Sequence, residues 1–113
     1  MSCTLNSNIS NRCKGIIDSG ISASAVYSVN ITENADYFMI ACANASTAQT
    51  SPVIQIIVDG VGARQNNGAI GGSVTTCWSA SLKKGDVVKF VFQNVVTDPR
   101  FNSYFVMRMK LNN

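Results

Sequence analysis

The segment that most constrains the fold of this chain is residues 86–93, with the sequence DVVKFVFQ. If it is extended, its side chains alternate between two faces, and one face carries three large apolar residues, Val88, Phe90 and Phe92. The other face carries Val87 and Val91 on either side of Lys89. A strand of an antiparallel sheet needs only one apolar face, because the other meets water. In a chain of 113 residues, two apolar faces predict that another copy of the chain covers the outside.

Strand patterns recur along most of the remaining chain. Residues 25–31 and 74–82 alternate apolar and polar side chains, and residues 53–58 are β-branched almost without a break. Within residues 74–82, Trp78 is the expected core anchor. The last predicted strand, residues 103–111, is expected to direct four side chains inward: Phe105, Met107, Met109 and Leu111. Six or so strands with short turns and no secure helix predict an all-β antiparallel sandwich or jelly roll.

Two turns can be predicted from residue type. Asp59-Gly60 directly follows residues 53–58 and predicts a tight hairpin, because glycine accepts a positive φ. Residues 83–86, with the sequence KKGD, predict the turn into the next strand. Gly85 is expected to take the left-handed position in that turn.

Two segments are less well defined by their sequence. Residues 62–72 contain four glycines and two asparagines, and we expect a mobile loop there. Residues 36–43 fit either a buried strand or a helix capped by Thr32. Because the segments on both sides are strand-like, we favour the strand.

Residues 1–22 differ from the rest of the chain, since Asn, Ser and small residues dominate them without sustained periodicity. They predict an N-terminal arm that gains order on contact with a partner, or else a short strand of the same domain. The arm would attach through four apolar residues: Leu5, Ile9, Ile16 and Ile17. Residues 23–113 are then the jelly-roll domain. The first residues lack the basic and apolar regions of a signal peptide.

Composition argues against several classes of function. The net charge is +3 and its lysines and arginines are scattered, whereas nucleic-acid binders concentrate them. No window approaches the roughly 18 uncharged apolar residues of a membrane span. The chain has no histidine, the commonest general base and a usual partner of cysteine in zinc sites. We therefore expect no catalysis, no metal and no cofactor.

The four cysteines show no C-x-x-C spacing. Cys42 and Cys77 lie within apolar strand patterns, and we expect them to be small buried hydrophobic residues. Cys3 and Cys13 could form a disulfide in an oxidising compartment, and otherwise all four thiols stay reduced.

Five short motifs follow one another between residues 23 and 112: an alternating strand with Tyr27, ADYF at 35–38, VDGV at 58–61, LKKGDVV at 82–88 and YF at 104–105. In this order they resemble the C1q/TNF-like jelly-roll superfamily. The chain departs from the family at Ala35-Asp36, where glycine is common. The resemblance implies a compact homotrimer around an axis lined by apolar and aromatic strand residues. Small domains of this kind also resemble bacteriophage virion proteins such as head decorations, head fibres and tail-fibre tips.

The expected function is therefore that of a non-enzymatic structural or decorating protein of a phage particle, made in the bacterial cytoplasm and found in the virion. The predicted trimer interface consists of Tyr37, Met39, Val53, Ile57, Val87, Val91 and Tyr104. The arm would dock on other virion proteins, such as those of the capsid or tail. The alternative is a recognition module whose loop residues Arg64, Asn66 and Asn67 bind a host surface glycan or protein.

Overall fold

The structure is a computed structural model that describes residues 16–21, 25–97 and 102–111. These residues form eight strands: β1 (Ile16–Ile21), β2 (Val26–Asn30), β3 (Ala35–Asn44), β4 (Val53–Val58), β5 (Val61–Asn67), β6 (Ser73–Leu82), β7 (Val87–Gln93) and β8 (Ser103–Leu111). Within this part of the chain no helix is long and apolar enough to cross a membrane.

The strands form two four-stranded sheets in which all neighbouring strands are antiparallel. Sheet A has the strand order β1-β8-β3-β6, and sheet B has the order β2-β7-β4-β5. Apart from the β4–β5 hairpin, every connection between successive strands takes the chain from one sheet to the other. This arrangement confirms the antiparallel jelly-roll sandwich predicted from the sequence.

The core lies between the two sheets and is apolar and aromatic. The Tyr104 ring stacks on Tyr27 with ring centroids 4.0 Å apart, and it lies 5.9 Å from the ring of Phe90. Burying each large apolar side chain of this kind contributes roughly 1.5–3 kcal/mol. Trp78 packs against this core from β6, on the predicted side of the strand, and remains partly exposed.

Both predicted turns are present. Asp59 and Gly60 join β4 to β5 with φ angles of 51° and 82°, and two successive positive φ angles define a type I′ hairpin. Gly85 has a φ of 98° in the connection between β6 and β7, the left-handed conformation that glycine adopts without steric cost.

The structure shows which conformation is adopted by the two segments that the sequence left less well defined, residues 36–43 and 62–72. Residues 36–43 lie in β3, so the strand interpretation is confirmed over the helix. Residues 62–67 lie in β5, so the predicted mobile loop is wrong for this part and only residues 68–72 connect strands. The polar side chains of β5 suit a strand at the edge of sheet B, because an edge meets water.

Over residues 104–107, strand β8 faces the opposite way from the prediction. Tyr104 and Val106 are buried in the core, 6% and 0% exposed. Phe105 and Met107 pair with Ile40 and Phe38 on the outer side of sheet A. The inward orientation predicted for Phe105 and Met107 is therefore wrong, because both faces of β8 are apolar and the pattern alone does not distinguish them.

Strand β1 lies inside residues 1–22, the segment predicted to be an attachment arm. It pairs with β8, so sheet A begins before the predicted boundary at residue 22. Of the predicted attachment residues, Ile16 and Ile17 lie in β1, whereas Leu5 and Ile9 lie outside the described residues.

Candidate functional site on the outer face of sheet A

The outer face of sheet A carries several large apolar side chains. Three of them are here called the bulky strip, and Met107, opposite Phe38 on the same face, is 2% exposed. Phe38 and Ile40 come from β3 and Phe105 from β8, and all three are half-buried. They point away from the core because they alternate with buried core residues: Tyr37, Met39 and Ala41 on β3, and Tyr104 and Val106 on β8. Ile40 and Phe105 lie directly opposite each other in the sheet.

Strand β6 places a strip of small side chains beside the bulky strip. The outward residues of β6, here called the small strip, are all exposed: Ser73, Thr75, Cys77, Ser79 and Ser81. In the register of β3 and β6, Phe38 lies opposite Ser79 and Ile40 opposite Cys77. The two strips together are called the outer A face below.

The polar contacts of the outer A face lie towards its two ends. At one end the Ser81 hydroxyl donates a hydrogen bond to Asp36 Oδ1 at 2.5 Å. At the other end Cys42 Sγ lies 2.9 Å from the hydroxyl oxygen of Ser103. Among the side chains described on this face, Asp36 alone is charged. The centre of the face is therefore uncharged.

A shallow cleft of 430 Å³ lies at the end of the sandwich near Asp36 and is lined by Asn34, Ser81, Leu82, Lys83 and Asp86. The Asp86 carboxylate accepts a hydrogen bond from the Lys83 backbone N–H at 2.9 Å. This bond lowers the pKa of Asp86, and the Asp59 side chain and the Lys83 charge lower it further. The described residues contain no group of three or more His, Cys, Asp or Glu that could hold a metal ion.

Three of the residues predicted to form a trimer interface instead belong to the core. Tyr37, Met39 and Tyr104 are 1%, 0% and 6% exposed and pack between the sheets. The prediction placed these three side chains on the outer face, but they point into the core. An apolar residue adjacent to each in the sequence occupies the outer face, so the pattern did not distinguish the two orientations. The residues that face outward at the same places are Phe38, Ile40 and Phe105.

The other four predicted interface residues lie on the outer face of sheet B. Val53, Ile57, Val87 and Val91 are half-buried there, and the exposed Lys89 lies beside Ile57 in the register of β4 and β7. Sheet B thus has an apolar outer surface of its own, interrupted by a lysine at its centre.

The residues predicted to bind through a loop lie on strand β5. The Asn66 amide donates a hydrogen bond to the Thr75 carbonyl at 3.0 Å, which links the edges of the two sheets. Asn67 accepts a hydrogen bond from the Gln65 amide at 3.3 Å. Arg64 is exposed on the same strand. These three residues therefore belong to a sheet edge, and the loop prediction for them is wrong.

The buried environment predicted for two cysteines is also wrong. Cys42 and Cys77 are free thiols and are exposed on the outer A face. The alternation of β6 places Cys77 on the side opposite Trp78, as the pattern predicted. No other described part of the chain covers that side of sheet A, so both thiols remain exposed.

No protein-family model matches the chain, and no curated protein matches its sequence. Its fold is that of the TNF-like jelly rolls. It is similar to the structure of bushbaby GITRL, with a TM-score of 0.67 and 8% identity over 86% of this chain and 95% of the other. Rabbit GITRL gives a TM-score of 0.63 at 9% identity, over 77% and 74% of the two chains. Murine APRIL gives 0.52 at 13% identity, over 75% and 76%. At these identities the similarity concerns the fold.

Proposed function

We propose that this chain is a non-enzymatic jelly-roll protein that assembles as a homotrimer through the outer A face and decorates a phage particle. The observation that carries the proposal is the presence of a bulky strip and a small strip side by side on one sheet face. The trimer is the assembly that the C1q/TNF-like resemblance implies.

The bulky strip of one copy is complementary in shape to the small strip of another copy, whereas neither strip is complementary to itself. Phe38 and Phe105 of one copy can pack closely against the serine-rich small strip of the next copy. A contact between two different patches is head-to-tail, and such contacts form a closed ring when the rotation between copies permits it. A trimer is the ring expected here.

The low charge of the outer A face also favours self-association. Asp36 lies at the end of the face and is hydrogen-bonded to Ser81, so the uncharged centre can be covered while Asp36 stays in water. Burying an unpaired charge would be costly. A standard interface buries about 800 Å² per partner, and each Å² of apolar surface removed from water contributes roughly 25 cal/mol.

The test compares two matched isoleucines, one on each outer sheet face. Ile40 and Ile57 are both half-buried and both outward-facing, on sheet A and sheet B respectively. We expect Ile40→Glu to reduce the mass measured by light scattering from that of a trimer to that of one chain, 12.1 kDa. Ile57→Glu should leave the trimer intact.

Circular dichroism and thermal unfolding of both variants establish that each remains folded. If Ile57→Glu dissociates the assembly and Ile40→Glu does not, the interface lies on sheet B and the proposal is wrong about the face. A wild-type chain that is monomeric at every concentration contradicts the trimer itself.

A further inference from the structure

Two thiols lie next to each other on the outer A face. Cys42 lies opposite Thr75 and Cys77 lies opposite Ile40 in the register of β3 and β6. Cys42 and Cys77 are therefore diagonal neighbours on adjacent strands, and both are exposed and free. Cys77 belongs to the small strip, directly beside the bulky strip.

These two thiols are badly placed for a disulfide with each other. Diagonal neighbours across an antiparallel pair lie about 7–8 Å apart, whereas the Cα atoms of a disulfide are usually about 4.4–6.8 Å apart. Both thiols are therefore available to react with an external partner whenever the face is uncovered.

We propose that Cys42 and Cys77 are modification sites through which a low-molecular-weight disulfide, of the glutathione disulfide class, prevents assembly. The inference rests on the proposed function, since it requires the outer A face to be the interface between copies. The cysteine thiolate attacks one sulfur of the small disulfide, and a mixed disulfide forms. The other half leaves as a thiolate, and the thiol proton of the cysteine passes to water.

The effect on assembly follows from the size and position of the adduct. A glutathionyl group on Cys77 places a charged tripeptide on the strip where the next copy must approach closely. Modification and assembly then compete for the same surface, so each reduces the population of the other. Reduction by an added thiol reverses the reaction and restores the free face.

The experiment uses the full chain and a Cys42→Ser/Cys77→Ser variant that keeps Cys3 and Cys13. Each protein is diluted until light scattering reports single chains, treated with glutathione disulfide, and concentrated again. Intact-mass and peptide mass spectrometry locate the adducts, and light scattering gives the mass of the concentrated sample before and after dithiothreitol.

We expect the treated wild type to remain at one-third of the trimer mass, with adducts at Cys42 or Cys77, and to recover the full mass after dithiothreitol. The double variant should assemble with or without treatment. Adducts at both thiols within an intact trimer, or no adduct at either thiol in dilute protein, would overturn the inference while the trimer stands. A reduced wild type that never assembles would instead contradict the proposed function on which the inference rests.

Discussion

At the scale of single residues, the core contains one polar group whose energetic cost can be isolated. Thr76 is fully buried on the inward side of β6, and its hydroxyl has no hydrogen-bond partner among the described residues. A buried hydroxyl that loses water without gaining a partner destabilises the folded state by about 1–3 kcal/mol. Val74, two residues earlier on the same side of β6, is 4% exposed and apolar.

We expect Thr76→Val to raise the free energy of unfolding by about 1–2 kcal/mol, because the methyl group replaces an unsatisfied hydroxyl of similar size. The matched exchange Val74→Thr should lower it by a comparable amount. Urea unfolding of the three proteins measures both changes. A loss of stability in Thr76→Val would show that the hydroxyl has a partner, such as a buried water.

At the scale of elements, the connection between β6 and β7 is stabilised by carboxylates bonded to backbone N–H groups. Asp86 accepts from Lys83 N–H at 2.9 Å, and Asp59, in the β4–β5 hairpin, accepts from Val87 N–H at 2.9 Å. The two turns are thereby joined at one end of sheet B. The lowered pKa of Asp86 follows mainly from its bond to Lys83 N–H.

This lowered pKa predicts how stability depends on pH. The unfolded chain takes up the proton on Asp86 first as the pH falls, so the stabilisation is fully present above the unfolded pKa and is lost as the pH falls through the folded one. We expect Asp86→Asn to be less stable than the wild type near pH 7 and to approach it as the pH falls through and below the ordinary range of an aspartate pKa. Urea unfolding across this range measures the difference. If the difference in unfolding free energy between the two proteins were the same at every pH, the lowered pKa of Asp86 would not be its cause.

The elements also show what could be predicted from the sequence. The turns at Gly60 and Gly85 were predictable because a positive φ favours glycine. Strand β4 was predictable because β-branched residues favour strands. The orientation of β3 and β8 was not predictable from their patterns. Phe38 and Met39 are both apolar, as are Tyr104 and Phe105, so pairing with distant strands decides which side is buried. Strand β5 likewise depends on its ladder with β4.

At the scale of the whole molecule, the described charges are concentrated towards one end of the sandwich. The connections at that end hold Glu33, Asp59, Lys83, Lys84 and Asp86. The described connections at the opposite end, residues 45–52, 68–72 and 94–97, have no charged side chain. In a ring with one rotation axis all copies point the same way, so the charged connections of the copies all lie at one end of the proposed trimer.

Attachment of the trimer to a particle is a prediction at the same scale. We assign it to residues 1–15, because the residues that follow form β1 and are part of sheet A. Removing residues 2–15 should abolish co-sedimentation with phage particles and leave the mass by light scattering that of a trimer. Undiminished co-sedimentation of the shortened chain would contradict an attachment role for this segment.

Because successive strands alternate between the two sheets, sheet A cannot be completed until β8 has been synthesised. β3 lies between β6 and β8, and β1 pairs with β8 across a long separation, with Ile21 opposite Ser103. Topologies dominated by such distant pairs fold slowly, because long loops must close before their contacts form. During synthesis β1 and one edge of β3 have no partner until β8 has been made. Until β8 has been made, a nascent chain therefore has an open edge of β3 beside Phe38 and Ile40, and an open strand edge next to apolar side chains promotes aggregation.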